Sequence, residues 1–378
     1  MAFDLTKYLF IDNHAHSLLK RQSDLDAFGI RRAFCESRSL SLIENEVPLS
    51  LHYSDMVRRL DKVLDIRDEA EMMTTRSTIP QAEYVRTLWD DAYIIGMIID
   101  DGFESDQMMP MSELAAVSGR TLYNCRRIEN VIEKCISQAK TFDECIVKFT
   151  ASLFEENPTS PVALKTIMAY RGGLQLDIVT KEEAATDFAK IKSIFAGGKT
   201  RIERCPLYHY LLMQSFELAG CYDIPVQLHC GLGDDDANIV DSDPALFQPA
   251  LKIPTLHHTK FVFLHCYPFV RQAALLCALY PNVFMDLSLS ISLVSPLASH
   301  MVLEALACAP ASKILAGTDG HTCPESHWYA ATTWKRALGT ALDQLVDQSF
   351  TDEKGASRTA SNILHGNVIR LYKLEGLV

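Results

Sequence analysis

Short apolar runs alternate along the chain with longer amphipathic stretches. Eight runs are short and nearly continuous in apolar residues, which is typical of strands buried on both faces. The runs are Tyr8–Ile11, Ala92–Ile99, Thr121–Tyr123, Pro161–Tyr170, Ile224–Leu228, Phe261–Leu264, Val283–Leu287 and Lys313–Gly317. The third run is the weakest, because it could equally begin a helix. Eight such runs joined by helical connections predict an α/β fold, a (β/α)8 barrel.

The connection between the first two runs is far longer than a plain helical crossover, which needs about a dozen residues. Residues 20–90 lie inside it and are charged and helix-favouring, as in YSDMVRRLDKVLDIRDEAEM at 53–72. We expect a mostly helical insertion after strand 1, lying over one end of the barrel. The chain, 1–378, is then expected to be a single domain that contains this insertion.

Composition narrows the class of protein. Of the 378 residues, 48% are apolar and 22% are charged, which excludes a disordered, collagen-like or coiled-coil chain. The formal net charge of −12 makes the chain a poor binder of nucleic acid or of an anionic membrane. The eleven cysteines include no CxxC pair, and Met1–Ile11 has no apolar stretch of signal-peptide length. We therefore expect a cytoplasmic protein with a small-molecule substrate, and a homodimer as the default for an acidic barrel of this size.

Candidate chemistry is concentrated where the predicted strands end. His14 and His16 follow the first run at a spacing that places both on one face of a strand. This HxH pair alone is weak, since two solvated loop histidines fit it equally well. However, His229, His265 and Asp319 each follow another predicted strand, where barrel enzymes carry their catalytic residues. Imidazole and carboxylate together suit zinc and related divalent ions, so the set predicts a metal site.

This pattern resembles the metal-dependent amidohydrolase superfamily of TIM barrels. The matching stretches are ALKTIMAYRGGL (163–174), PVQLHCGLGD (225–234), FLHCYPFVRQAALLCALYPNVFMDLS (263–288) and GTDGHTCPE (317–325). They cover nearly the whole chain outside the insertion. Within the superfamily they are most similar to the amidohydrolase-2-like branch, which also occurs fused to glutamine-synthetase-like domains.

The resemblance implies a role for each matching residue. His14, His16 and His229 correspond to metal ligands. His265 corresponds to a position that is a ligand in two-metal members and often a catalytic base in one-metal members. Asp319 corresponds to the aspartate that contacts the metal and takes a proton from the attacking water. One or two divalent ions are implied, with Zn²⁺ the expected ion.

Lys165 has two open interpretations. It lies near the end of an apolar strand, VALKTIM, where a lysine is rarely buried without a partner. In two-metal members of the superfamily a lysine at this position reacts with CO₂, and its carbamate bridges both ions. The alternative is an ordinary neutral or ion-paired lysine.

Polar side chains near the predicted strand ends, with Tyr170 and Arg171 first, are candidates for substrate binding. Arg171 follows Tyr170 and suits bidentate recognition of a carboxylate, although a salt bridge to an acidic neighbour fits nearly as well. Arg127 and Glu325 are weaker candidates for the same pocket. The predicted function is therefore hydrolysis of an amide or related bond in a small, carboxylate-bearing substrate. Two alternatives stay open: a metal-dependent decarboxylase of an aromatic or unsaturated acid, and a metal-stabilised binding domain without catalysis.

Overall fold

Eight parallel strands form one sheet in chain order in the computed structural model, which describes residues 3–103, 106–156, 159–198, 200–374 and 376. The ends of the predicted 1–378 domain, residues 1–2 and 377–378, lie outside the described residues. The strands are β1 Phe10–Ala15, β2 Ile94–Asp100, β3 Thr121–Arg127, β4 Ala163–Thr166, β5 Val226–Cys230, β6 Phe261–His265, β7 Val283–Asp286 and β8 Ile314–Leu315. The predicted third run is thus a strand, and the fourth run is a strand only at its centre.

Hydrogen bonds between β1 and the segment after β8 close this sheet into a barrel. Asn13 N donates to Ala316 O at 2.9 Å, and Asp319 N donates to His14 O at 2.8 Å. The predicted (β/α)8 TIM barrel is confirmed. Because the strands are parallel, their carboxyl ends all meet at one mouth of the barrel.

Five helices lie between β1 and β2: α1 Ala27–Arg32, α2 Leu40–Asn45, α3 Leu51–Leu64, α4 Glu69–Thr78 and α5 Gln81–Asp91. The helices that connect the later strands are α6 Met111–Ser118, α7 Ile128–Gln138, α8 Phe142–Leu153, α9 Lys181–Ala196, α10 Pro206–Tyr222, α11 Gln248–Leu251, α12 Val270–Leu279, α13 Ser288–Leu293 and α14 Ala298–Cys308. After β8 come α15 Pro324–Asp347, α16 Glu353–Ser361, the π-helical turn Asn362–Gly366 and α17 Asn367–Tyr372. Short 3-10 turns lie at Gln22–Asp24, Val47–Leu49, Met168–Arg171, Val240–Ser242, Pro244–Phe247, Pro254–Leu256, Ser295–Leu297 and Ala311–Lys313.

The helices between β1 and β2 pack on the long helix α15. Arg59 of α3 lies 4.8 Å from the ring centre of Tyr329, and its Nη1 donates to Thr332 Oγ1 at 3.0 Å. The indole nitrogen of Trp89 in α5 donates to Pro324 O at 3.2 Å. These contacts fix residues 20–90 beside the barrel mouth rather than leaving them as a free appendage.

Alternate residues of the strands divide the core in two. Val262 and Leu264 of β6 belong to the cluster inside the barrel, whereas Phe261 and Phe263 pack outward against the helices. Burial on both faces explains why the strands appear in the sequence as continuous apolar runs. Among the described residues, no helix combines the length and the apolar character needed to cross a membrane.

The C-terminal helix α17 contributes to the barrel interior. Tyr372 is buried, and its hydroxyl donates to Asn13 Oδ1 at 2.8 Å and accepts a hydrogen bond from Gln227 Nε2 at 3.0 Å. Asn13 in turn donates to Asp286 Oδ2 at 2.8 Å. A polar network therefore links the tail of the chain to β1, β5 and β7.

We expect Tyr372→Phe to lower the free energy of unfolding by about 1–3 kcal/mol, because Asn13 Oδ1 then loses its buried partner. Urea denaturation followed by circular dichroism measures this. Tyr222→Phe is the control, since Tyr222 is 60% exposed, and it should change stability by less than about 0.5 kcal/mol. Equal effects for the two variants would contradict a structural role for the network.

Candidate metal centre

The barrel mouth brings together the histidines and the aspartate that the sequence singles out. His14 lies near the end of β1 and His16 just after it. Alternation along β4 and β5 places Lys165 and His229 on the inward faces, two residues after Ala163 and Gln227. His265 ends β6, and Asp319 follows β8.

Asp319 lies at the centre of this group. Its Oδ1 is 3.1 Å from Nε2 of His14 and 3.2 Å from Nε2 of His16. Its Oδ2 is 3.8 Å from Nδ1 of His265. The ring centres of His229 and His265 are 4.4 Å apart, so the five side chains form one compact cluster.

Two strained backbone positions direct side chains into this cluster. His265 has φ of 68° and Asp319 has φ of 51°, both in the left-handed region that non-glycine residues avoid. Asp286 Oδ1 holds the first by accepting from His265 N at 2.8 Å. Asp12 Oδ1 holds the second by accepting from Thr318 N at 2.8 Å. Strain stabilised by surrounding hydrogen bonds is typical of functional sites.

His14 and His16 face Asp319 with lone pairs rather than with protons. Gln227 Oε1 lies 2.8 Å from His14 Nδ1, and the amide of Gln227 is oriented because its Nε2 donates to Asn13 O. The proton of His14 is thereby placed on Nδ1. His16 Nδ1 lies 3.4 Å from Asp100 O. This contact is longer, but it likewise places the proton of His16 on Nδ1. Both Nε2 atoms are left as acceptors that face a carboxylate oxygen.

Burial determines the charges of these groups. It lowers the pKa of His14 to about 4, with Lys165 adding to the effect. Burial also lowers the pKa values of His229 and His265 well below the usual range. Burial alone would raise the pKa of Asp319, but attraction to the protonated forms of His265, His14 and His16 outweighs burial and lowers that pKa well below its usual value. At neutral pH the cluster is therefore made of neutral imidazoles around a carboxylate.

These residues fit a divalent metal ion. Among the described residues, His229 Nε2, His265 Nε2 and Asp319 Oδ1 are buried polar atoms with no hydrogen-bond partner. Such orphaned atoms are rare and call for an explanation. His14, His265 and Asp319 form one group of possible ligands, and His14, His16 and Asp100 form a second. Neutral imidazole nitrogen and carboxylate oxygen are ordinary ligands of Zn²⁺ and related ions.

Lys165 lies within the same cluster. Its side chain is almost fully buried, and Nζ is 3.1 Å from His14 Nε2. Burial lowers the pKa of Lys165, although Asp100 and Asp319 oppose this effect. The structure therefore places Lys165 where either a carbamate or an uncharged amine would contact the metal ligands.

A cavity of about 490 Å³ opens above the cluster. The barrel contributes Tyr170, Arg171 and Arg127 to its wall, and the helical segment after β1 contributes Phe28 and Glu36. The ring of Tyr170 lies 4.5 Å from that of His229. Three of the four residues predicted to contact substrate therefore lie in the cavity.

The two cavity arginines that were predicted to bind substrate are already paired. Arg127 Nη2 donates to Asp100 Oδ2 at 2.6 Å, which leaves little of its guanidinium for a ligand. Arg171 Nη2 contacts Glu133 Oε1 at 3.3 Å, and its buried Nε has no partner among the described residues. Arg171 thus has both the predicted salt bridge and a donor still available.

Glu325, which was predicted to bind substrate, does not line this cavity. Its side chain is fully buried at the start of α15, where it binds Arg76 and accepts from Tyr84 Oη at 2.8 Å. The charge of Arg76, from α4, holds Glu325 in the interface between the inserted helices and the barrel. The sequence could not show this pairing, because the two residues are far apart in the chain.

The residues that support the cluster were not predicted from the sequence. Asp12, Asp286 and Gln227 are buried and hydrogen-bonded behind it. A signal for Gln227 was present, since it is a polar residue within an apolar strand and two positions before His229.

Comparisons with known proteins agree with this geometry. Residues 196–374 match the amidohydrolase family model. A proposed metal-dependent hydrolase from Lactobacillus casei superposes with a TM-score of 0.89 at 26% identity, covering 100% of both chains. Uronate isomerase from Thermotoga maritima superposes with a TM-score of 0.63 at 13% identity, covering 97% of this chain and 95% of that one, which shows the shared fold alone.

A curated relative is similar over nearly the whole chain. Protein fluG of Emericella nidulans is 28% identical over 397 aligned residues, which cover 97% of this chain and 46% of fluG. The chain therefore spans about half the length of that relative. Together with the closed barrel and its cluster of histidines and aspartate, these matches make the chain similar to the amidohydrolase superfamily of TIM barrels.

We expect Gln227→Leu to weaken Zn²⁺ binding about 10–100-fold, because the proton of His14 is no longer held on Nδ1. A competition titration against a chromogenic chelator measures the affinity, and a thermal melt checks that the variant is folded. Gln214→Leu in α10 is the matched control, since Gln214 donates to Tyr210 Oη away from the cluster. An unchanged affinity in a folded Gln227→Leu protein would contradict this account.

Proposed function

We propose that the protein is a metal-dependent hydrolase that cleaves an amide or related bond of a small, carboxylate-bearing substrate. The observation that carries this proposal is the set of buried acceptor atoms facing one another around Asp319. His14, His16, His229 and Asp319 would hold the ion, with His265 and Lys165 as further ligands of a two-metal centre. Zn²⁺ is the ion we favour, because neutral imidazole and carboxylate suit it.

A divalent ion at this position supplies an acidified water and a polarised carbonyl group. Asp319 is the base that removes a proton from the attacking water, since its carboxylate is ionised and lies at the centre of the cluster. Asp319 or His265 then donates a proton to the leaving nitrogen. Burial of these groups keeps bulk water away from the transferred proton.

Lys165 distinguishes a one-metal centre from a two-metal centre. Because its lowered pKa leaves a larger fraction as the free amine, Lys165 is suited to addition to CO₂. The resulting carbamate would give a second ion an anionic ligand. A bare Lys165 would instead leave His265 available for proton transfer, which is the arrangement that favours the alternative decarboxylase.

Arg171 supports a substrate with a carboxylate. It lines the cavity beside Tyr170, and its Nε is a buried donor without a partner. A ligand carboxylate would satisfy that donor with a charge-assisted hydrogen bond.

Asp319→Asn should reduce turnover about 100-fold or more, because the amide cannot accept the proton of the attacking water. Metal content should remain nearly intact, since an amide oxygen still faces His14 and His16. Assay of a library of acyl-amines by amine release, together with elemental analysis, measures both. Asp235→Asn at the exposed rim is the control.

Full activity of the Asp319 variant would exclude Asp319 as the base that activates water. Release of CO₂ without an amine would indicate the decarboxylase.

Arg171→Met should raise KM for a carboxylate-bearing amide about tenfold or more while changing kcat little. The reason is that Arg171 would contact the substrate carboxylate equally in the bound ground state and in the transition state. Steady-state kinetics against the same amide without its carboxylate should show no such change. Arg204→Met is the matched control, since Arg204 pairs with Asp177 at the protein surface. Equal losses for both substrates would show that Arg171 acts through Glu133 as a structural residue.

A further inference from the structure

The carboxylates around the cavity have cationic partners, with one exception that the metal centre does not explain. Paired carboxylates and their nearest N–O distances are Asp100 with Arg127 at 2.6 Å, Glu133 with Arg171 at 3.3 Å, Asp234 with Arg38 at 3.2 Å, and Asp236 with Arg38 at 2.7 Å and Arg201 at 3.0 Å. Asp319 faces the histidines. Glu36 lines the same cavity, and within the described part of the chain its side chain forms no hydrogen bond or ion pair.

Glu36 is held in the cavity from both sides. It lies in the irregular segment between α1 and α2, two residues after Phe34 and two before Arg38. Phe34 is buried, with its ring 5.6 Å from that of Tyr53. Arg38 binds the loop after β5 through Asp234 and its two acidic neighbours. This double attachment keeps Glu36 over the barrel mouth rather than in bulk solvent.

Asp319 and Asp234 are the charged groups that act on Glu36, although Arg38, Arg171 and Lys165 also line the cavity. Burial, together with repulsion from Asp319 and Asp234, raises the pKa of Glu36 to about 8. A buried carboxylate without a positive partner is costly, and a cation placed beside it removes that cost. The unpaired carboxyl group of Glu36, which lines the cavity, therefore favours a positively charged group on the ligand that binds there.

We propose that Glu36 binds a primary ammonium group of the substrate. With Arg171 in the same cavity, the substrate class becomes an amide that carries both an ammonium and a carboxylate, as amino-acid derivatives do. This inference rests on the proposed function for the reaction, but ammonium binding itself requires no turnover. Specificity would then come from the helical segment after β1, while the barrel strands provide the reacting groups.

Calorimetric titration of the metal-loaded protein with matched acids tests the proposal. The pairs are β-alanine and propionate, 4-aminobutyrate and butyrate, and L-glutamate and glutarate, whose members differ only in the ammonium group. The shared carboxylate contributes to both members of a pair, so a preference reports the amino group. The Glu36 variants then separate its contact with Glu36 from coordination of the amine to the metal. Wild type should prefer the ammonium member about tenfold in at least one pair.

Glu36→Gln should reduce that preference to less than about threefold, because the charge is lost and the shape is kept. Glu44→Gln, an exposed carboxylate in α2, is the matched control and should keep the wild-type preference. Glu36→Ala serves as a second variant, and thermal melts show that each protein is folded.

Three results would overturn the proposal. The first is a wild type without an ammonium preference, which includes a wild type that binds none of the acids. The second is an unchanged preference in the folded Glu36 variants, and the third is loss of a metal ion from Glu36→Gln, which would make Glu36 a metal ligand. Failure of the proposed function looks different. It would be an absence of amide hydrolysis while the Glu36-dependent ammonium preference persists.

Discussion

Asp319 presents one carboxylate oxygen to the Nε2 atoms of two histidines, at 3.1 and 3.2 Å, and neither nitrogen has a proton to give. Three acceptors at such short range repel one another unless a cation lies among them. Lys165 can relieve this repulsion at His14, because its amine is 3.1 Å from that Nε2, and its charge also acts on Asp319. In the part of the chain that the structure describes, the contact between His16 and Asp319 has no hydrogen-bonded cation beside it, and a metal ion would supply that positive charge.

The rest of the barrel maintains that arrangement. Gln227 fixes the proton of His14, while Asp286 and Asp12 hold the strained backbone at His265 and Asp319. Asn13 and Tyr372 connect these supports across the barrel interior. Buried polar groups are costly when left unpaired, so each member of this network stabilises the others. The wall of the cavity does not come from the barrel alone, because residues from the segment between α1 and α2 complete it.

Much of this architecture could be predicted from the sequence. Strands buried on both faces appear as apolar runs, and parallel strands bring residues that follow them to one mouth. These two rules were sufficient to predict the barrel and to group His14, His229, His265 and Asp319. They were insufficient where the position of a side chain depends on a partner that is distant in the sequence. Glu325 follows a strand-end motif but is held by Arg76 instead, and nothing local in the sequence distinguishes the two outcomes.

The metal content of the purified protein tests the central claim most directly. Elemental analysis of protein prepared without chelator should find at least one divalent ion per chain. The double variant His14→Ala/His16→Ala should retain less than about a tenth of that content. The double variant His257→Ala/His258→Ala, at two exposed histidines, should match wild type. Equal metal content in all three proteins, or none in wild type, would contradict the assignment of the barrel mouth as a metal centre.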